Sequence, residues 1–193
     1  MDGFLVLAVD LLKAGGVPES WIRVGAEMEL PGFYRPTKEW DLLVVSGGRL
    51  LAALEVKSQV GPSFGNNFNN RTEEALGSAV DLWTAFREGA FGASAHPWPG
   101  YLFLLEDCTR SQSPVSVKEP HFHVFPEFEH ASYAKRYELL CRKLVLERQY
   151  TAAALLMTSR EEAAVGGFRE PAPDLSMSRL AKSMVWAVRE HLE

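Results

Sequence analysis

The chain has 193 residues, 47% of them hydrophobic, and a formal net charge of −5 from 20 Lys and Arg against 25 Asp and Glu. That length forms one core of ordinary size and requires no second domain, so residues 1–193 read as a single domain. The acidic balance argues against a broad sequence-blind clamp on nucleic acid, which needs cations to neutralise phosphates; Cys108 and Cys141 form neither CxxC nor a Cys/His zinc spacing and read as reduced thiols.

Asp2 to Lys13 reads as a helix with apolar residues on more than one side, stopped by Ala14-Gly15-Gly16 and Pro18. Its run FLVLAVDLL is broken by Asp10, lacks a basic leader and is too short to span a bilayer, which points to a soluble, cytoplasmic protein with no membrane partner. Trp21 to Leu30 alternates imperfectly and reads as a first strand, closed by Pro31-Gly32. Phe33 to Lys38 reads as a connection whose basic and aromatic residues are candidates to touch a phosphate backbone, with a plain connector as the equal alternative.

Two apolar runs joined by Ser46-Gly47-Gly48-Arg49 read as a hairpin with Asp41 at its mouth and Glu55-Val56-Lys57 at its far end. Side chains alternate along a strand, so Glu55 and Lys57 share a face. A two-residue Gly47-Gly48 turn sets Asp41 opposite Leu54, on the wrong face for Glu55; a bulged three-residue connection, or an equivalent twist at Asp41, restores it. We therefore expect a bulge. Two carboxylates and an amine on one surface suit phosphodiester cleavage with Mg²⁺, which keeps several waters and is held by one or two carboxylates plus the phosphate. Lys57 then positions the attacking water or offsets charge in the transition state. A hairpin with solvated charges at its strand ends explains the same three residues equally well.

Gln59 continues the Glu55 and Lys57 face, where it is a candidate to bond a metal-bound water. Gly61 to Gly65 breaks the strand, and Asn66, Asn67, Asn69, Asn70 and Arg71 then place four amides and a guanidinium within six residues. Asn pairs bidentately with adenine and Arg with guanine, so this stretch reads as a recognition loop; the alternative is a turn-rich connector. Thr72-Glu73-Glu74 reads as the start of a helix running to about Glu88, its buried stripe formed by Ala75, Leu76, Ala79, Leu82, Trp83 and Phe86.

Tyr101 to Leu105 reads as a central strand covered on both faces. Cys108 to His130 shows no convincing element; connections of that length are functional or mobile. Arg110, Ser111, Lys118, His121 and His123 are its candidate DNA contacts, and Phe122, Phe125 and Phe128 its candidate anchors. Ala131 to Gln149 reads as a helix carrying Lys135-Arg136 and Arg142-Lys143, either a solvated face or phosphate contacts. Thr151 to Met157 reads as a buried strand, Ser159 to Asp174 as a loop or partly disordered stretch, and Met177 to His191 as a last helix. Strands alternating with helices make an α/β domain.

The stretches RPTKEWDLLVV, LEVKSQVGPSFGNNFNNRTEEALGSA and DLWTAFREGAFG, with LLEDC, SPV, EPHF, VFPEF, ASY and RYELLCRKLV beyond them, resemble the XhoI-type restriction endonucleases, a family of the PD-(D/E)xK nuclease superfamily. The resemblance covers most of the chain. It implies a restriction-endonuclease-like core, a mixed central sheet flanked by α-helices. Asp41, Glu55 and Lys57 match the catalytic pattern, although Trp40 stands where that pattern has proline. Metal ligands would be Asp41, Glu55 and the Val56 carbonyl, with Asp10, or less readily Asp2, as an added acid from the first helix. The implied activity is type II restriction: Mg²⁺-dependent double-strand breaks at CTCGAG, cut after the first C, leaving 5′-phosphates. A homodimer on double-stranded DNA and a cognate methyltransferase are the implied partners. Relatives are expected to carry further residues ahead of the first helix, which would bear on dimer contacts and activity. The alternatives are a repair or recombination nuclease of the same fold, and a shortened DNA-binding protein that does not cut.

Overall fold

The computed structural model describes residues 2–192. Helix α1 (Asp2–Ala14) precedes three short strands, β1 (Ile22–Arg23), β2 (Glu29–Pro31) and β3 (Thr37–Glu39). The hairpin β4 (Leu42–Ser46) and β5 (Arg49–Gln59) follows, then α2 (Phe64–Arg87), β6 (Trp98–Glu106), the short α3 (Thr109–Gln112) and α4 (Tyr133–Leu146). Strand β7 (Ala152–Thr158), the short α5 (Arg160–Ala164) and α6 (Met177–Arg189) complete the chain.

Five strands form one mixed sheet in the order β1-β4-β5-β6-β7, antiparallel from β1 to β5 and parallel from β5 to β7. The parallel strands are buried on both faces, as their unbroken apolar runs require. Ala53, Tyr101, Phe103, Leu105 and Leu155 pack against α2 and α4, while Leu54, Val56, Leu102, Ala154 and Leu156 pack against α1 and α6. The expected α/β core with helices on both faces of a mixed sheet is therefore the observed one.

The single strand expected over Trp21 to Leu30 is two. Gly25 and Glu27 have positive φ and turn the chain, so β1 joins the main sheet and β2 pairs with β3 in a separate hairpin. The connection read over Phe33 to Lys38 is thus the tip and second strand of that hairpin. Residues 108–130 are largely irregular as expected, but Phe122 and Phe125 are exposed at 88% and 71% and are not buried against the body, although the Lys143 ammonium lies 5.5 Å from the Phe125 ring; Phe128 is half-buried. Within the stretch read as a loop from Ser159 to Asp174, α5 forms on a capping box between Ser159 and Glu162.

The largest correction concerns α2, which starts at Phe64 and not at Thr72. Four asparagines argue for a loop because each costs up to about 0.7 kcal/mol against alanine in a helix. Phe64 is buried and stacks on Tyr133 of α4 at 5.6 Å, and Phe68 meets Tyr137 edge-on at 5.1 Å. Burying one such ring contributes about 1.5–3 kcal/mol, enough with its neighbour to outweigh the asparagines and hold two extra turns. Leu76, expected in the buried stripe, is exposed at 41%.

Candidate active site

The site rests on the parity of the β4–β5 hairpin. Gly47 and Gly48 both have positive φ, the conformation a two-residue hairpin turn needs, and Ser46 pairs with Arg49 across them. The register then shifts: Val45 faces Leu50, but Val44 faces Ala52, so Leu51 is the extra residue of a bulge. Leu51 and Ala52 accordingly pack on the same side of the sheet. The expected bulge lies in the strand and not in the turn. Its effect is to bring Leu42 opposite Leu54 and Asp41 onto the face of Glu55.

Asp41 Oδ2 accepts the Val56 N–H at 2.7 Å. Burial holds the Asp41 carboxyl above its ordinary pKa; the Val56 amide pulls it down, the Glu55 charge pushes it up, and Lys57 and Lys38 pull it down again. Because Leu42 is the last paired residue of β4, the main-chain carbonyl of Val56, on the same strand edge as its N–H, lies beyond the ladder with Leu42.

Glu55 is 2% exposed and accepts from two ammonium groups. Lys57 takes Oε1, and Lys38, from β3, takes Oε2 at 2.5 Å. Lys38 also donates to the Glu39 carbonyl at 2.8 Å and lies 4.4 Å from the centre of the Trp40 ring. Burial lowers the Lys38 pKa and the Glu55 carboxylate partly restores it. A cleft of about 660 Å³ is lined by Glu55, Lys57 and Lys38 together with Arg35, Arg71 and Glu74; Asp41 is not among its lining residues. Hollows of about 770 Å³ beside Trp83 and about 960 Å³ between α1 and α6 gather no comparable set of acids and ammoniums, and in one of about 750 Å³ between α4 and α6 Glu127 and Asp174 are already paired with Lys143 and Arg142.

Among the described residues no three His, Cys, Asp or Glu side chains converge. The donors at hand are two carboxylates and one free strand-edge carbonyl, all oxygen, which is the set a hard cation such as Mg²⁺ takes with water and phosphate completing it. The residues therefore fit a divalent cation, provided that an ammonium gives up an oxygen of Glu55.

Other expected site residues are placed differently. Asp10 is exposed on α1, against the opposite face of the sheet, and does not line the cleft; the Asp2 side chain lies outside the described residues. Gln59 is buried and donates to the Val60 carbonyl at 2.6 Å. Asn66, Asn69 and Asn70 are exposed on the first turns of α2, a helix surface and not a loop, and Asn67 shares a stripe with Arg71, Glu74 and Ser78 at helical spacing. Of these amides and their arginine, Arg71 lines the cleft, paired with Glu74 at 2.5 Å. Arg110, Lys118, His121 and His123 are exposed on the 108–130 connection and do not line it, and Ser111 is fully buried, its hydroxyl bonded to the main chain of Cys108. The basic groups of α4 are spent locally: Lys135 and Arg142 on Glu138, Arg142 also on Asp174, Lys143 on Glu127. Lys38 is the residue that sequence reasoning missed as part of this site. Its signal is one inward position between exposed Thr37 and Glu39, too short a pattern to separate from a connector.

Comparison with known proteins gives one family model, described as restriction endonuclease XhoI, matching residues 1–170. A relative from Geobacillus stearothermophilus named type II restriction enzyme BstVI is 56% identical over 182 residues, 92% of this chain and 81% of that protein. Type II restriction enzyme XhoI of Xanthomonas vasicola is 53% identical over 149 residues, 76% of this chain and 60% of the relative. Type II restriction enzyme AbrI of Azospirillum brasilense is 58% identical over 123 residues, 63% and 55%. The chain thus spans less than two thirds of the latter two. No solved structure matches it.

Proposed function

The chain belongs to the XhoI restriction endonuclease family, and from that premise we propose that it makes site-specific double-strand breaks in DNA at CTCGAG, Mg²⁺-dependent and leaving 5′-phosphates. One observation carries the reading: a buried carboxylate, Glu55, held by Lys38 and Lys57 on the face to which the Leu51 bulge returns Asp41. The recognition sequence is suggested by the name of the Xanthomonas vasicola relative.

In this mechanism Asp41, Glu55 and the Val56 carbonyl hold the cation. When bound, it lowers the pKa of a coordinated water and neutralises charge building on the phosphate. Lys57 orients the attacking water and balances negative charge at the reacting phosphate. Lys38 holds the Glu55 carboxylate in place before the cation arrives. Arg71 and Arg35 draw the duplex backbone into the cleft, which is how a chain of net charge −5 approaches a polyanion. The exposed face of α2, with Asn66, Asn69 and Asn70, reads base edges or phosphates as a helix surface. A palindromic site calls for two copies related by a two-fold axis, each reading one half. A methyltransferase that protects the same sequence is the implied companion in a cytoplasmic restriction system. Among the described residues no helix is long and apolar enough to cross a membrane.

The test is to digest a plasmid carrying one CTCGAG with Mg²⁺ and to sequence the ends. A single cut after the first C, abolished by methylation of the site and by Glu55→Gln or Lys57→Ala, is expected. Cutting at damaged or branched DNA irrespective of sequence would replace this reading with a repair nuclease. Retarded DNA with no cutting under any divalent ion would replace it with a binding protein.

A further inference from the structure

The β2–β3 hairpin ends in two large rings with nothing to bury them. Phe33 and Tyr34 are exposed at 51% and 69%, in T-shaped contact at 5.0 Å. A tip of this kind is ordinarily mobile, since loops with few buried contacts open easily. Here it is tied down. Asp81 of α2, itself buried, accepts the N–H of Phe33 at 2.7 Å, the N–H of Tyr34 at 2.9 Å and Nε of Arg35 at 2.6 Å. Gly32 sits so close beneath that a Cβ there would come within 2.8 Å of the Asp81 carboxylate and 2.6 Å of the Arg35 carbonyl.

Three donors on one buried carboxylate fix the direction of two rings that contribute little to the core. The same hairpin reaches the reaction at its other end, where Lys38 holds Glu55. Between the two, Arg35 and Thr37 line the cleft, and the Nη groups of Arg35 have no partner among the described residues. Four residues, the bent tip among them, separate Lys38 from Tyr34, so the two lie no more than about 13 Å apart along the chain even at the full rise of a strand. That limit is about four base pairs along a duplex at 3.4 Å each.

Resting on the nuclease reading above, we propose that this hairpin is a duplex-contacting arm: latched to α2 by Asp81, it lays Phe33, Tyr34 and Arg35 on the substrate backbone and groove edge within about four base pairs of the scissile phosphate. The guanidinium takes a phosphate and the rings pack on sugar and exposed base edges, contacts that fix register on the duplex. The continuity of arm and cleft selects DNA as the occupant: both are built on one hairpin, and the cations between them match its charge.

The experiment measures binding of a labelled CTCGAG duplex by fluorescence anisotropy with Ca²⁺ in place of Mg²⁺, alongside hydroxyl-radical footprinting and single-turnover cleavage at limiting and at saturating enzyme. The double variant Phe33→Ala/Tyr34→Ala should bind about tenfold more weakly, as loss of a buried aromatic anchor does. It should also lose protection within about four base pairs of the cut, and its cleavage should fall further at limiting than at saturating enzyme. Asp81→Asn should weaken binding with both rings still present, and melting curves check that each variant folds. If the unaltered chain binds and cuts while the double variant matches it in affinity and footprint, the arm is wrong and the nuclease reading stands. If the unaltered chain binds no duplex, both fall together.

Discussion

Lys38 Nζ lies 2.5 Å from Oε2 of Glu55, and Lys57 takes the other oxygen of the same buried carboxylate. A carboxylate removed from water stays ionised only if paired, and removing one partner of such a pair is strongly unfavourable. Lys38 itself keeps 10% of its side chain exposed, so the loss is smaller than for a fully buried ion pair. Lys38→Met should lower stability by about 1–3 kcal/mol in metal-free buffer. Because Lys38 occupies an oxygen that the cation would take in the proposed mechanism, added Mg²⁺ should recover more melting temperature in the variant than in the unaltered protein. Melting curves with and without Mg²⁺ check this, and an identical Mg²⁺ response in both would separate Lys38 from the metal site.

Asp41 has two duties that one substitution separates. Its carboxylate accepts the Val56 N–H and in the proposed mechanism ligates the cation. Asp41→Asn keeps an oxygen for the amide and removes the charge, so the fold should survive. Cutting should fall by about 100-fold or more, since disturbing even the outer shell of a metal site costs 10–100-fold. The measurement is single-turnover cleavage across a Mg²⁺ titration; a variant that cuts normally at low Mg²⁺ would remove Asp41 from the ligand set.

How far these groups were legible depends on the range of the forces that place them. Glu55 and Lys57 share a face by strand alternation alone, which two residues of sequence display. Asp41 needed the Leu51 bulge, and the register shift occurs inside β5, where no glycine or proline marks it. Lys38 was hidden because Thr37 to Glu39 is three residues long and pairs only with β2. The asparagines of α2 looked like a loop because local propensity is readable and the contacts of Phe64 and Phe68 with α4 are not. Phe122 and Phe125 looked like anchors for the opposite reason: hydrophobicity is local, and the cover it expects is tertiary.

Acid should release the hairpin from α2. Burial alone pushes the Asp81 carboxyl up, but the Arg35 guanidinium and the Tyr34 and Phe33 amides outweigh it and hold its pKa below the ordinary 3.8. Arg169 holds Asp107 down in the same way. A folded pKa below the unfolded one means that stabilisation is complete above the ordinary carboxylate value and disappears as pH falls through the folded one. Asp41 has the opposite sign, because burial makes its ionised form the less favoured one. The melting temperature should therefore fall from about pH 5 toward about pH 3, and less steeply in Asp81→Asn, which has no charge left to lose there. Parallel slopes for the two proteins would mean that Asp81 does not contribute.

Gly100 tests the face of the sheet away from the chemistry. It pairs with Leu54 on β5 and Ala152 on β7, and a Cβ built there would lie 2.4 Å from the Trp98 ring and 3.0 Å from Leu54 Cδ1. Trp98 cannot move aside freely: it is 3% exposed, and its Nε1 donates to Ser183 of α6 at 2.9 Å. Gly100→Val should therefore force the ring off its rotamer or strain the bond to Ser183, at about 1–3 kcal/mol for overpacking. Trp98→Leu alone should also destabilise, through lost contacts. Combining the two should cost less than their sum, since the smaller side chain makes room for the new methyls, and urea midpoints of the four proteins give that coupling. Strict additivity would mean that the close approach does not govern the position. Asp41, Glu55 and Lys57 project from the other face, so Gly100→Val should still cut DNA at a temperature where it is folded.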